Sequence, residues 1–159
     1  MATVDHEVRI DRGSSKDLDP VMQVMDLAFG KRFGEAWTRS QLAGILPMGG
    51  VSLMIAREGE DGKAVGFSLS RTVVDESELL LIAVLPSHHR RGVGRLLLEN
   101  FVERARNDRA ARVHLEVRDG NPAVDMYRSA GFSPVGRRRN YYHTPDGRRF
   151  DAITLSHQL

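Results

Sequence analysis

The 159-residue chain contains no cysteine. That excludes disulfides, thiolate metal sites and a cysteine nucleophile. Lysine is nearly absent too, with Lys16, Lys31 and Lys63 the only examples, so arginine carries most of the positive charge. Aromatic residues make up 6%, with a single tryptophan. A nucleic-acid-binding chain is expected to interleave a basic stripe with stacking aromatics, and the nearest approach is "GRRRNYY" at 136–142. No run approaches the 18 or more apolar residues of a membrane span, and the opening "MATVDHEVRIDRG" lacks the apolar region of a signal peptide. Repeats, linkers and low-complexity stretches are missing as well. These absences together lead us to expect a cytoplasmic protein without a membrane partner.

What is present is an ordinary soluble composition, 41% hydrophobic and 28% charged, with a formal net charge of +2. The length suits one domain, residues 1–159, with enough chain to bury a real core. "HEVRI" alternates like a strand, and "SSKDLDP" behind it holds helix-capping residues and a proline suited to a first helical turn. Val21, Val24, Met25 and Ala28 then follow the i, i+3, i+4, i+7 spacing of an apolar helix face. "WTRSQLAGIL" reads as a second, short helix. From Val51 the period changes to three β-rich runs, "VSLMIARE", "AVGFSLSRTVV" and "ESELLLIAVL", separated by polar turns such as "GEDGK". Leu97, Leu98, Phe101, Val102 and Ala105 mark a long amphipathic helix. "ARVHLEV" is a strand, "PAVDMYRSAG" a helix closed by Gly131, and the tail forms two strands around "TPDG". The order β-α-α-β-β-β-α-β-α-β-β predicts an α/β fold with a mixed, mostly antiparallel sheet flanked by helices, since a strand–helix–strand crossover joins parallel partners.

The stretch "HHRRGVGRLLLE", residues 88–99, is the first chemically specific one. A P-loop needs G-x-x-x-x-G-K-[ST], and a dinucleotide fingerprint needs a third glycine where this chain has leucine. What remains is a strand, a turn marked by Pro86, then Arg90, Arg91, Gly92, Val93, Gly94 and Arg95 leading into a helix. The first amides of a helix lack intrahelical partners and sit at the positive end of its dipole. Glycines admit an anion to those amides and arginines add charge, so the stretch suits a pyrophosphate. A glycine-rich turn with solvated arginines satisfies the same residues.

"IAVLPSHHRRGVGRLLLE" resembles the acetyl-CoA-binding motif of the GNAT N-acetyltransferases, R/Q-x-x-G-x-G/A after a strand and a proline. Gly92 and Gly94 match its glycines, whereas His89 stands at the Gln/Arg position. "VHLEVRDGNPAVDMYRSAGF" resembles the acidic strand and the N-x-x-A-x-x-x-Y-x-x-x-G-F segment of the same superfamily, with one residue fewer between Asn121 and Tyr127. "VGRRRNYYHTPDGRRFDAITL" resembles the C-terminal segment of the RimI-like, ribosomal-protein-alanine branch. "AWTRSQL" resembles that branch's tryptophan segment, with Ala36 replacing a common proline. The likeness covers roughly residues 20 to 159.

The resemblance implies the GNAT acyl-CoA N-acyltransferase fold. It also implies acetyl transfer from acetyl-CoA to a protein N-terminus, namely the N-terminal alanine of a small-subunit ribosomal protein. It makes Arg90, Arg91, Gly92, Val93, Gly94 and Arg95 the cofactor cradle, with Asn121 as a further contact. It makes Ile82, Ala83 and Val84 the strand that receives the acetyl and pantetheine groups, with a bulge and a main-chain oxyanion donor.

Alternation places Val113, Leu115 and Val117 on one face and His114, Glu116 and Arg118 on the other. Glu116 matches the general base of the RimI-like enzymes; from its residue type alone, a carboxylate paired with Arg118 or another arginine is the alternative. Tyr127 matches the donor that protonates the CoA thiolate, and its phenol, with a reference pKa near 10, is protonated at neutral pH. As a plain residue it is a core tyrosine beside Ala123 and Val124. An α-amine with a reference pKa of about 7.7–8.0 needs only mild base assistance. The amine is the nucleophile and the thioester is already activated, so neither a metal nor a covalent enzyme intermediate is expected.

His88 and His89 read as loop residues beside the cradle, and His114 as a packed strand histidine. "RRRNYY" is either an RNA-facing patch or, by resemblance, a strand of the substrate groove with Tyr141 and Tyr142 as walls; no direct nucleic-acid partner is expected. Asp75, Glu76 and Glu78 are either attractors for a basic peptide or a solvated cluster. A GNAT acting on lysine or a small amine, and a non-catalytic acyl-CoA-binding module, stay open as alternatives. Oligomeric state is not legible.

Overall fold

The computed structural model describes residues 7–30 and 33–159. Seven strands form one sheet in the order β1-β2-β3-β4-β5-β7-β6. β1 (Val8–Arg12), β2 (Val51–Glu58), β3 (Lys63–Val73) and β4 (Glu76–Val84) run antiparallel in succession. β5 (Arg112–Arg118) lies parallel to β4, and β6 (Ser133–His143) and β7 (Arg149–Gln158) complete the sheet antiparallel. The helices are α1 (Leu18–Phe29), α2 (Arg39–Ile45), α3 (Val93–Asn107) and α4 (Ala123–Ser129). The first strand starts two residues later than the expected run at 6–10, of which His6 lies outside the described residues.

Local chemistry sets the helix starts. Thr38 Oγ1 accepts the Gln41 N–H (3.1 Å) while Gln41 Oε1 accepts the Thr38 N–H (2.8 Å), a reciprocal box that opens α2. Ser14 and Asp17 form a similar box on the 3-10 turn before α1. Val21, Val24 and Met25 are buried along α1, and Val93, Leu97, Leu98, Phe101, Val102 and Ala105 along α3. α1 and α3 both pack on β3, which is buried on both faces from Val65 to Ser70 because each face is covered.

The β4–α3–β5 crossover creates the one parallel pairing among the described residues. It is short, running from Glu76↔Arg112 to Leu79↔Leu115. Beyond Leu79 the two strands part. On the β3 side the register moves from Ser70↔Leu79 to Leu69↔Leu81, so Leu80 is an extra residue in β4. This bulge sits just upstream of Ile82–Val84 and coincides with the place where β5 departs. Two hydrophobic clusters lie on either side of this wedge: α1, α2, β2, β3 and the start of α3 build one, while the rest of α3, β5, α4 and β7 build the other.

Candidate active site

The open edge of β4 follows from ladder alternation. Leu85 N–H donates to Val65 O at 2.8 Å, and Ala83 opposes Phe67, so Val65–Leu85 and Phe67–Ala83 are the hydrogen-bonded pairs. Ile82 and Val84 therefore turn their backbone groups the other way, into the wedge that β5 has left. Ala83 of the expected Ile82–Ala83–Val84 segment is occupied by the ladder, so its two neighbours supply the free edge.

A 3-10 turn at Pro86–His88 leads from that edge to α3. Arg90 (φ 62°) and Gly92 (φ 79°) are both left-handed, flanking Arg91, and Gly92 is the N-cap of the 15-residue α3. Alternating handedness of this kind points successive amides toward a common centre. The first helical bond is from Leu96 N–H to Gly92 O (3.0 Å), leaving the amides of Gly92, Val93, Gly94 and Arg95 without intrahelical acceptors. A Cβ on Gly92 meets nothing within 4 Å, so the space in front of it is open. Arg95 is paired with Glu99 along the helix (3.0 Å), and Arg91 lies 3.9 Å from Glu58.

His88 lies in the turn beside the cradle, as expected. It is buried, with Nε2 on both Glu58 oxygens (3.1 and 3.0 Å) and Nδ1 at 2.8 Å from Ser87 Oγ. That tether pins the turn to the end of β2. His89 is exposed, and its Nε2 lies 3.1 Å from Val84 O. Among the described residues no three His, Asp or Glu side chains gather as metal ligands.

On the β5 side, Val113, Leu115 and Val117 are buried as the alternation predicts. Glu116 has a side chain 15% exposed and an ion pair to Arg138 Nε of 2.7 Å. The arginine partner is thus Arg138 on β6, not Arg118. Burial raises the Glu116 carboxyl above its ordinary range; Arg138 opposes that rise, Glu78 adds to it, and His114 opposes it. Glu78 and His114 face each other in register with 3.7 Å between their nearest atoms, while Glu76 pairs with Arg112.

Tyr127 is only 4% exposed and packs edge-on to Phe132, with ring centroids 6.1 Å apart. Burial first, then Tyr142 and Glu35, push its phenol well above the ordinary value, so it holds its proton. Asn121 Oδ1 caps the helix start by accepting Ala123 N–H (2.9 Å), and its Nδ2 donates to Glu35 Oε2 (3.2 Å).

Glu35 is the residue that sequence reasoning missed. Arg118 Nε donates to Glu35 Oε1 (3.3 Å), with both side chains largely buried, and the Arg118 guanidinium lies 3.6 Å from the Phe33 ring centroid. Phe33 in turn packs edge-on to Phe150 of β7 (5.4 Å). Gly34 is left-handed and so close to the hairpin that a Cβ there would lie 2.2 Å from His143 O. The α1–α2 segment is thereby bound against the β6–β7 hairpin, and Gly34, Ala36, His143 and Thr144 line a groove of about 370 Å³. A larger cavity of about 480 Å³ lies between α1 and the β2–β3 hairpin, lined by Gln23, Arg57 and Lys63 and by neither Glu116 nor Tyr127.

β6 carries the "RRRNYY" residues. Between Arg138↔Ala152 and Tyr142↔Phe150 it uses two more residues than β7, a bulge at Arg139–Tyr141. Asn140 there is left-handed (φ 54°), and its N–H is held by Asp151 Oδ1 (2.9 Å). Arg137 bridges Asp119 (2.9 Å) and Asp151 (2.7 Å). Arg137 and Arg138 are thus engaged with carboxylates rather than forming an open basic stripe. Tyr142, past the bulge, has its phenol raised by burial and by the nearby Glu35, Tyr141 and Glu116, whereas Tyr141 is half-exposed.

Known proteins resemble this chain in sequence and fold. The model of the acetyltransferase (GNAT) family matches residues 19–132. The [ribosomal protein bS18]-alanine N-acetyltransferase of Escherichia coli is 42% identical over 98 residues, which is 61% of this chain and 66% of that protein. The N-alpha-acetyltransferase RimI of Mycobacterium tuberculosis is 44% identical over 105 residues, 63% of this chain and 61% of that protein. The matched segments thus span just under two thirds of these relatives. The crystal structure of the E. coli ribosomal-protein-S18-alanine N-acetyltransferase superposes with a TM-score of 0.85 at 31% identity, covering 96% of this chain and 94% of that one.

Proposed function

Because the chain belongs to the acetyltransferase (GNAT) family, we propose that it transfers acetyl from acetyl-CoA to the α-amino group of a protein N-terminus, specifically the N-terminal alanine of a small-subunit ribosomal protein. One observation carries the reading: a partly buried carboxylate with a raised pKa, Glu116, lies on β5 where it parts from β4, and β4 beyond that point has a free edge continuous with an anion cradle. GNAT acetyltransferases use acetyl-CoA, and the described residues fit it. Unpartnered amides at Gly92–Arg95, with Arg90 and Arg91 beside them, suit the pyrophosphate, and the outward backbone of Ile82 and Val84 suits the pantetheine amides. Asn121, whose amide also donates to Glu35, keeps a second amide hydrogen for the cofactor.

Glu116, directly or through one water, takes a proton from the substrate ammonium. The freed amine attacks the thioester carbonyl, held by a main-chain N–H of the open β4 edge. The new C–N bond forms as the C–S bond breaks. Tyr127 gives its proton to the leaving thiolate and regains one from the nitrogen by way of solvent, so the products are the N-acetyl peptide, CoA and one proton. The groove between the α1–α2 segment and the β6–β7 hairpin receives the rest of the peptide.

The test is CoA release with three acceptors. These are a peptide copying the N-terminus of the organism's own ribosomal target, its N-terminally blocked twin, and a peptide whose only amine is lysine. Turnover confined to the free N-terminus is expected. Turnover on the lysine peptide alone moves the protein to another acetyltransferase class, and bound acetyl-CoA without turnover on any acceptor makes it a non-catalytic binder.

A further inference from the structure

We propose that His89 is a positioning residue that locks the pyrophosphate cradle to the pantetheine edge, an inference that rests on the cofactor assignment above. A carbonyl oxygen only accepts, so the 3.1 Å contact between His89 Nε2 and Val84 O places the hydrogen on Nε2. That single bond joins the last residue of β4 to the residue that opens the cradle. Between them the chain makes a 3-10 turn, and directly after His89 it takes the left-handed conformation at Arg90, then again at Gly92. Both are costly or permissive conformations, so the loop needs ties from outside itself. One tie is His88 to Glu58, which fastens the turn to β2. The second is His89 to Val84, which fastens the loop to the cofactor strand.

Histidine stands where the family motif has Gln or Arg, and like them it offers a side-chain N–H donor. The bond does not block the strand. A carbonyl oxygen has two lone pairs, so Val84 O accepts the imidazole and still has one for a pantetheine amide. Acetyl-CoA must engage edge and cradle at once. Its affinity over that of its two halves depends on their fixed separation, as for any linked pair of binding modules.

The experiment compares the wild type with His89→Ala and His89→Gln. Calorimetry measures binding of intact acetyl-CoA, of adenosine 3′,5′-bisphosphate and of pantetheine, and melting serves as a folding control. We expect His89→Ala to bind acetyl-CoA about tenfold more weakly, the scale of one hydrogen bond. The fragments should bind as in the wild type, and His89→Gln should recover the intact cofactor. A parallel loss for every ligand together with a lower melting temperature makes His89 a merely structural residue and overturns the proposal. Unchanged acetyl-CoA affinity in His89→Ala also overturns it, and tighter binding shows the ring to be an obstruction. Nitrogen NMR of the ligand-free protein gives an independent reading, since the bond requires hydrogen on Nε2 of His89. The Nδ1–H tautomer there removes the proposal even if acetyl-CoA binding is normal, whereas a wild type that binds no acetyl-CoA but shows hydrogen on Nε2 removes the cofactor assignment alone.

Discussion

A base that accepts a proton from an ammonium works best when its own affinity for protons is not too low. Glu116 meets that requirement through burial, and Arg138 limits how far the shift goes. The Arg138 side chain is mostly exposed, so the pair is loose, and an arriving ammonium can take its place. Glu116→Gln removes the base and leaves the cradle intact. Because an α-amine needs only mild help, we expect a fall in kcat near the low end of the usual range, about 10²-fold, with acetyl-CoA affinity retained. The pH profile checks the assignment further. On the acid side, log kcat/KM should be level between the two pKa values, where the carboxylate meets the ammonium, and fall with a slope of one below that of Glu116. Arg138→Gln removes an interaction that lowers the carboxyl pKa, so that break should move to higher pH. A break that stays in place would mean that Arg138 does not govern Glu116, and full activity in Glu116→Gln across pH would remove the base assignment.

The β3–β4 hairpin shows how an element can carry a local misfit. Val74 at its tip is left-handed (φ 58°) and 92% exposed, a conformation that puts a β-branched side chain under strain of about 1–2 kcal/mol. Nothing is gained by packing there. Val74→Asn keeps the turn and suits that conformation, so stability should rise by about 1 kcal/mol, read as a higher urea midpoint at constant slope. A lower midpoint would show that Val74 makes a contact its exposure conceals. The same element scale separates what could be read in advance from what could not. α3 and the glycine turn that opens it were legible because glycine spacing and apolar periodicity are local signals, and the alternation of β5 placed Glu116 opposite the core residues. The insertion of β7 between β5 and β6 left no local trace, since strand order is decided by packing. The bulge at Arg139–Tyr141 depends on Asp151 across the hairpin. The Glu35–Arg118 contact joins residues far apart in sequence, and composition alone does not distinguish Glu35 from a surface glutamate.

At the scale of the whole molecule, the sheet is continuous in hydrogen bonding but its interior is not. The two hydrophobic clusters share β4, with Leu81 and Ala83 in one and Leu79 in the other, and they are bridged by the four-pair ladder that ends at Leu79↔Leu115. The wedge past that ladder is where an ordinary sheet would pair, so its amides and the Ile82 carbonyl await a partner, while the Val84 carbonyl keeps one lone pair beside its His89 bond. A pantetheine arm lying along Ile82 and Val84 would act as that missing strand, and the pyrophosphate would hold the start of α3. Acetyl-CoA should therefore stabilise both halves together. At a hundredfold excess over its dissociation constant the gain is about 2.7 kcal/mol, or a rise of roughly 5–10 °C in melting temperature for a chain of this size. Hydrogen exchange locates the effect. The mechanism requires added protection at Ile82 and Val84 as well as at Gly92–Arg95, because only a cofactor seated in the wedge brings its thioester to Glu116. Protection confined to the cradle would leave the acetyl group outside the wedge, and then Glu116 could not be the residue that receives the proton.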